Sequence, residues 1–412
     1  MHKGEHCSFR PRVIYLHQYF CTPQMIGGTR SYEMGKRLVR SGFDVEVIAA
    51  DCTAPSSSGW RKEMVEGMLV HWAPVPYDNS MSFSRRILAF FDFSWRASLK
   101  AAKVGGDLVF ASSTPLTIAL PGIFASWARK IPLVLEVRDM WPSVPIAIGA
   151  LRDPFSILAA KALEQIAYRK ANHIIALAPG MKEEILAKGV PSEKVSVIPN
   201  GSDMDLFDIP SYVGEEVRRQ NLWLGQRPMV LYSGAIGFLN GVDYLVHLAH
   251  KMLEIDPAVC FVLIGRGKED GLIRDLAKTN GTFERNVFFL GPKPKEEIPA
   301  WVSASSMMIT LIKIQEVAKN AVQNKFFDAL AGGRPVANNF SGWQSQIAQE
   351  NDCGIVLDPQ NPYQGAEVLA KHLKNKEWLE GAGRRAHDLA KNQYNRDNLA
   401  NELGSVFRKV LF

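Results

Sequence analysis

Asn320-Ala321-Val322-Gln323-Asn324-Lys325-Phe326-Phe327-Asp328-Ala329-Leu330-Ala331-Gly332-Gly333-Arg334-Pro335-Val336-Ala337 reads as a loop, one short helix, a Gly-Gly stop and a buried strand. Phe326, Phe327, Leu330 and Ala331 recur at helical spacing, so one face packs inward. Gly332 and Gly333 suit a helix end that needs positive φ, and Pro335 stops the helix from continuing. Asn324 and Lys325 then fall in the first turn, with Asp328 one turn on. Free N–H groups and the positive dipole end make such a start an anion site. A lysine there suits a phosphate, and the carboxylate suits sugar hydroxyls. An ordinary amphipathic helix with a polar outer face is the competing reading.

Outward from this stretch the chain alternates strands and helices. Val13–Leu16, Val45–Ala49, Leu108–Phe110, Leu133–Val137, His173–Leu177 and Val195–Ile198 read as strands of a first sheet. Met229–Tyr232, Phe261–Ile264 and Val287–Leu290 read as strands of a second. Ser202 to Trp223 is polar and reads as an irregular linker. Such alternation predicts an α/β fold with two Rossmann-like domains facing across a cleft. Expected boundaries are 1–205, 206–394 and a C-terminal helix over 395–412 that crosses back to the first domain. A length of 412 residues agrees with two cores rather than one.

Gly at strand ends lets a ligand approach backbone. Gly27 and Gly28 follow the first strand, Gly234 follows Tyr232-Ser233, and Gly265-Arg266-Gly267 and Gly291-Pro292-Lys293 end two more. A dinucleotide G-x-G-x-x-G is absent. Arg138 and Asp139 close the strand Leu133–Val137, where open sheets place ligands, although a structural ion pair reads equally well. Phe83, Ile87, Phe91, Trp95 and Leu99 make one stripe on a helix, with Arg85, Arg86, Arg96, Lys100 and Lys103 off it. The stripe reads as core, or as a membrane-facing surface with Phe91 and Trp95 beside Arg85, Arg86 and Arg96.

The stretch from Asp328 to Val336 resembles the donor-binding helix of retaining glycosyltransferases of family 4, which have the GT-B fold. Asp328 stands at the second of that family's two acids and Gly333-Arg334-Pro335-Val336 matches its tail, while Asn320 replaces the first Glu. Arg138-Asp139-Met140-Trp141-Pro142 is similar to a bacterial O-antigen and capsule subgroup that includes N-acetylfucosamine transferases. Arg138 there replaces a more common His. The resemblance implies sugar transfer from a nucleoside diphosphate, UDP foremost, with retention and without a protein nucleophile. No cofactor is expected besides this substrate. The implied acceptor is a polyprenyl-diphosphate-linked saccharide at the inner face of the cytoplasmic membrane.

By the same resemblance, Arg138, Asp139 and Lys325 act in catalysis. Gly27, Gly28, Gly234, Gly265, Arg266, Lys293, Asn324, Lys325 and Asp328 bind the nucleotide, and Asn320 meets the donor sugar. His17, Arg30 and Ser113 face the acceptor. Two phosphate cations of the family are missing at Ala235 and Asn240, which leaves Lys325 and Lys313. A metal-independent reaction is expected, with no Asp-x-Asp ligand pair read in the chain. A nucleotide-sugar 2-epimerase and a non-catalytic binder of the same fold stay open.

Composition narrows the rest. With 47% hydrophobic and 22% charged residues the chain is ordinary globular protein. Cys7, Cys21, Cys52, Cys260 and Cys353 show no metal spacing and read as free thiols. Met1–His6 lacks a signal-peptide core, and no apolar run is long enough to span a membrane, so a cytoplasmic, peripheral protein is expected. The net charge of +6 allows an anionic substrate or membrane, and no nucleic-acid motif appears.

Overall fold

A computed structural model describes residues 10–25, 27–78 and 81–412. Met1–His6, Cys7, Ile26 of the glycine loop and the side chain of Phe83 lie outside the described residues. The chain divides into two compact units, Met1–Ile198 with Leu399–Phe412, and Pro199–Asn398.

The first unit holds β1 (Arg12–Leu16), β2 (Asp44–Asp51), β3 (Arg61–Val65), β4 (Met68–Pro74), β5 (Leu108–Ser112), β6 (Leu133–Val137), β7 (His173–Ala176) and β8 (Val195–Val197). Their order is β3-β4-β2-β1-β5-β6-β7-β8, parallel except for β3 against β4. Continuous apolar runs such as Leu108-Val109-Phe110-Ala111 are wholly buried, as strands covered on both faces require. Helices α1 (Arg30–Arg40), α2 (Phe83–Val104), α3 (Ala119–Arg129), α4 (Ser143–Ala147) and α5 (Pro154–Lys170) serve this sheet. Gly42, at φ +90°, releases the chain from α1 into β2.

The second unit holds β9 (Met229–Ser233), β10 (Cys260–Ile264), β11 (Val287–Gly291), β12 (Met307–Thr310), β13 (Val336–Asn338) and β14 (Gly354–Val356), all parallel, in the order β11-β10-β9-β12-β13-β14. Strand order reverses at β1 in the first sheet and at β9 in the second. Open parallel sheets bind ligands beyond the strand ends at such reversals. The fold therefore directs attention to the loops after β1 and β9.

Three expectations change. Ser202 to Trp223 is not irregular, because it contains helices Met204–Phe207 and Ser211–Gln220. Strands β3, β4, β12 and β14 add to the expected sheets. Lastly, the stripe on α2 is not core: Phe91 and Trp95 are exposed, while Phe90, Phe93, Ala97 and Ala101 face inward.

A buried ion pair lies under the first sheet's C-terminal edge. Arg30 donates to Glu136 at 2.8 Å and 3.0 Å and to the Ile198 carbonyl at 2.9 Å, and Ser112 donates to Glu136 at 2.5 Å. Burial pushes the Glu136 carboxyl up, but Arg30, Arg138 and Ser112 outweigh it and hold the group below its ordinary value.

The C-terminal helix Arg396–Leu411 completes the first unit's core. Phe407 is fully buried, its ring 5.0 Å from Phe110 and 5.8 Å from Phe43. Phe407→Ala is expected to destabilise the first unit by about 3–5 kcal/mol. Urea unfolding followed by a probe in that unit measures it, and a loss under about 1 kcal/mol would contradict this packing.

Candidate functional site

In the second unit the polar cluster forms around the helix Asn324–Ala331. Phe326, Phe327, Ala329, Leu330 and Ala331 are fully buried, which fixes the rotation of the helix. Gln323 and Gln344 pin its start: the Gln323 N–H donates to the Gln344 side chain at 3.1 Å, and the Gln344 amide donates to the Gln323 carbonyl at 3.0 Å. Gly333, not Gly332, carries the positive φ, at +61°.

This rotation sends Lys325 back against β9. Its Nζ is shielded from solvent, makes no hydrogen bond and sits 3.8 Å from the centre of the Tyr232 ring. Burial lowers its pKa to about 7. A Cβ on Gly234 would come within 2.8 Å of that Nζ. Gly234, at φ +150°, leaves the space beside the loop after β9 that the ammonium occupies. Tyr232 is held in turn by its hydroxyl, which donates to the Ala235 carbonyl at 2.7 Å.

The loops after β9, β10 and β11 are knitted by backbone. Gly234 N–H donates to Ile264 at 2.8 Å, Ile236 N–H to Arg266 at 3.2 Å, and Gly265 N–H to Gly291 at 2.9 Å. A Cβ on Gly265 would meet the Gly234 carbonyl, so these loops approach as only glycine allows. Gly234, Gly265 and Lys325 thereby come together. Arg266 is exposed beside them, Asn324 is exposed at the helix start and Asn320 is half-buried in the preceding turn. Lys293 donates to Glu297 at 2.9 Å, and Lys313 donates to Asp243 at 2.8 Å. Both ammonium groups are therefore already engaged, unlike that of Lys325.

Asp328, one turn on from Lys325, feels the charges of Lys295, Arg396 and Asp203. Burial pushes its carboxyl up to about 6, against the pull of Lys295 and Arg396 and with Asp203 adding to the rise. Asp203-Met204-Asp205 is an Asp-x-Asp sequence that the metal-free expectation passed over. Its Asp203 accepts from Arg396 at 2.8 Å and from Lys295 at 3.3 Å, so it serves as an ion-pair node. Among the described residues no group of three His, Cys, Asp or Glu side chains gathers to hold a metal.

In the first unit, His17, Ser113 and Arg138 come together beyond β1, β5 and β6. The Arg138 guanidinium donates to His17 Nε2 at 2.9 Å, and the Arg138 N–H donates to the Ser113 hydroxyl at 3.0 Å. A guanidinium has no acceptor, so His17 accepts at Nε2 and carries its proton on Nδ1. That Nδ1 is buried without a partner among the described residues. Burial, then the Arg138 charge, lowers the His17 pKa well below its ordinary value. Asp139 takes a bond from Thr114 at 3.1 Å. Gly27 and Gly28 are exposed in the loop before α1. Arg30 does not join this group: it is 2% exposed and engaged with Glu136 and Ile198. Tyr232 and Gln344 support the lysine but gave no sequence signal, since one reads as core strand and the other as a surface amide.

Residues 27–201 match the family described as Glycosyl transferase 4-like domain, and residues 227–375 match Glycosyl transferases group 1. Each half of the chain thus matches a glycosyl transferase domain, and the fold is the GT-B fold. It is 22% identical to the alpha-D-kanosaminyltransferase of Streptomyces kanamyceticus over 68% of this chain and 71% of that protein. It is 24% identical to WcaI of Escherichia coli, a putative colanic acid biosynthesis glycosyl transferase, over 76% and 79% of the two chains. Anabaena HepE, solved with UDP and glucose, superposes with a TM-score of 0.73 at 17% identity, covering 97% of this chain and 100% of that one. The two sequence relatives are named as transferases of sugars, and the HepE structure holds UDP and glucose. The buried lysine lies in the part of this chain that matches Glycosyl transferases group 1.

A pH profile follows from the two shifted groups. Anion binding favours the charged Lys325, so affinity for a nucleoside-diphosphate-sugar should fall as pH rises above about 7. Sugar hydroxyls favour the ionised Asp328, so affinity should also fall as pH drops below about 6. Calorimetry with UDP-glucose from pH 5 to pH 9 should show tightest binding between these limits, at about pH 6–7. Lys325→Ala should remove the alkaline limb and leave the acid one, and an alkaline limb that persists in the variant would assign it elsewhere.

Proposed function

We propose that this protein transfers a sugar, with retention, from a UDP-sugar to a lipid-linked saccharide during assembly of a bacterial surface polysaccharide. The observation that carries the reading is Lys325, an ammonium buried without a partner beside a glycine loop and a helix start. Such a group is costly to keep charged in the free protein and is answered by a diphosphate. As the glycosidic bond breaks, negative charge grows on the leaving diphosphate, and Lys325 with the helix N–H groups stabilises it. The uridine complexes of HepE and the likeness to WcaI support the donor and pathway classes.

In this reading Asp328 accepts from the ribose, Gly265, Arg266 and Lys293 meet the base, and Asn320 meets the donor sugar. His17, Ser113, Arg138 and Asp139 belong to the acceptor side, and Arg30 holds Glu136 beneath them. The donor sugar is of the N-acetylated deoxyhexosamine class, by the likeness of Arg138–Pro142 to that subgroup. Front-face attack needs neither a protein nucleophile nor a metal. Arg85, Arg86 and Arg96 on α2 draw the enzyme to an anionic inner membrane face, with Phe91 and Trp95 beside them. No helix among the described residues is long and apolar enough to cross a membrane.

Lys325→Ala is expected to lower kcat by about 10²–10³ while donor affinity falls less. Steady-state kinetics on the folded variant decides this, and a kcat within about threefold of wild type excludes the lysine as the diphosphate clamp. Asp328→Ala should weaken nucleoside-diphosphate binding by about 1.5–3 kcal/mol. Calorimetry reads this loss, and an affinity within about twofold of wild type removes Asp328 from the ribose.

A further inference from the structure

Guanidiniums withdrawn from water in this protein spend their donors on oxygen. Arg30 lays its Nε and Nη2 on Glu136 and adds the Ile198 carbonyl. Arg218 and Arg334 give theirs to backbone carbonyls. Arg396 takes Asp203 and the Gly201 carbonyl. Arg138 breaks this pattern. It is half-buried at the end of β6, and its guanidinium makes one bond, from Nη1 to the His17 imidazole. Its Nε and Nη2 donate to none of the described residues, and none of their carboxylates lies within ion-pair reach. Asp139, next along the chain, is engaged with Thr114 instead.

The unanswered guanidinium is held in place. Strand β5 lies between β6 and β1, so Arg138 extends across two strand spacings, about 10 Å, to meet His17. His17 is 1% exposed, and its backbone N–H is tied to the Ile48 carbonyl at 3.2 Å. With Nη1 committed to this fixed ring, the edge left over carries Nε and Nη2. Those are two parallel donors, spaced for the two oxygens of one carboxylate. Arg30 presents the same edge to Glu136. The charge count agrees. Two guanidiniums, Arg30 and Arg138, act on one buried carboxylate, Glu136, and Arg30 is the one bonded to it. One positive charge is therefore left for a ligand. The nearby groups add donors rather than acceptors. The Ser113 hydroxyl already accepts from the Arg138 N–H and donates to no described residue.

We propose that the Nε–Nη2 edge of Arg138 receives a carboxylate, so that the saccharide bound by the first unit is acidic, a uronic acid or a sugar bearing a lactyl or pyruvyl acid group. The proposal rests on the acceptor-side placement of Arg138 in the proposed function and names what that acceptor carries. His17 is the positioning residue, because its Nε2 fixes which edge of the guanidinium stays open. A neutral sugar would use the donors and leave the charge to water. A diphosphate fits less well than a carboxylate. It would bring two or more negative charges to a single unanswered cation, with the exposed Asp139 beside it. A planar monoanion matches both the fork and the charge.

Saturation-transfer NMR on the full chain reads this without turnover, with methyl glucuronoside and its neutral methyl ester, the same sugar with the carboxylate masked. Wild type is expected to bind the acid about tenfold or more tightly than the ester. Arg138→Gln should reduce that preference below about twofold, with an unchanged melting temperature because the side chain makes a single bond. Lys325→Ala should leave the preference as it is in wild type. Wild type that binds acid and ester alike, or neither at about 10 mM, overturns the proposal whatever the variants do. A preference that persists in Arg138→Gln, or that disappears in Lys325→Ala, puts the carboxylate elsewhere and is equally fatal. Inorganic pyrophosphate that binds the Lys325→Ala protein more tightly than the acid does, and is lost on adding Arg138→Gln, would reassign the edge to a diphosphate. Failure on any of these counts leaves sugar transfer itself standing, since the Lys325→Ala kinetics test that reading by a separate measurement.

Discussion

An ammonium held out of water against a tyrosine ring is an expensive object. No carboxylate or carbonyl answers Lys325, and the ring face of Tyr232 offers only a partial substitute for hydration. The surroundings have to force the arrangement. Below, five buried apolar residues of the helix Asn324–Ala331 lock its rotation. Above, Gly234 removes the one Cβ that would push the ammonium away. Strain of this kind persists at sites where a ligand later supplies what is missing.

The first unit handles its buried charge in the opposite manner. Arg30 and Glu136 pair directly, and Ser112 and the Ile198 carbonyl add a bond to each. That pair forms a rigid floor, and the Arg138–His17 pair stands on it from the next residues of β6 and β1. Arg138 can only donate, so it fixes the His17 tautomer. A histidine in place of Arg138 could donate or accept, whereas this arrangement presents donors alone.

The fold was largely legible because buried parallel strands announce themselves as apolar runs, as Leu108–Phe110 and Phe261–Ile264 do. The hairpin β3–β4 was not, since Arg61–Val65 is exposed and its turn uses Glu66-Gly67 rather than Asn-Gly or Asp-Gly. Periodicity found the helix α2 but not which face is buried. Both Phe91-Trp95 and Phe90-Phe93-Ala97 have helical spacing, and it is the packing of α2 on α3 and the sheet that selects the second set. At the candidate site, Lys325 and Asp328 could be named from local order along one helix. Tyr232, Gln344 and the engagement of Arg30 could not, because each depends on a partner far away in the chain.

The return of the last helix to the first unit has a consequence for biosynthesis. Strands β1, β2 and β5 emerge early from the ribosome, yet their core lacks Phe407 until the whole segment Pro199–Asn398 has been made. That intervening segment contains all six strands of its own sheet and can close as soon as it is released. The half of the protein synthesised first is thus the half finished last, with Phe43 and Phe110 uncovered in the interval. During that wait the growing chain exposes apolar surface that chaperones recognise and that aggregation exploits.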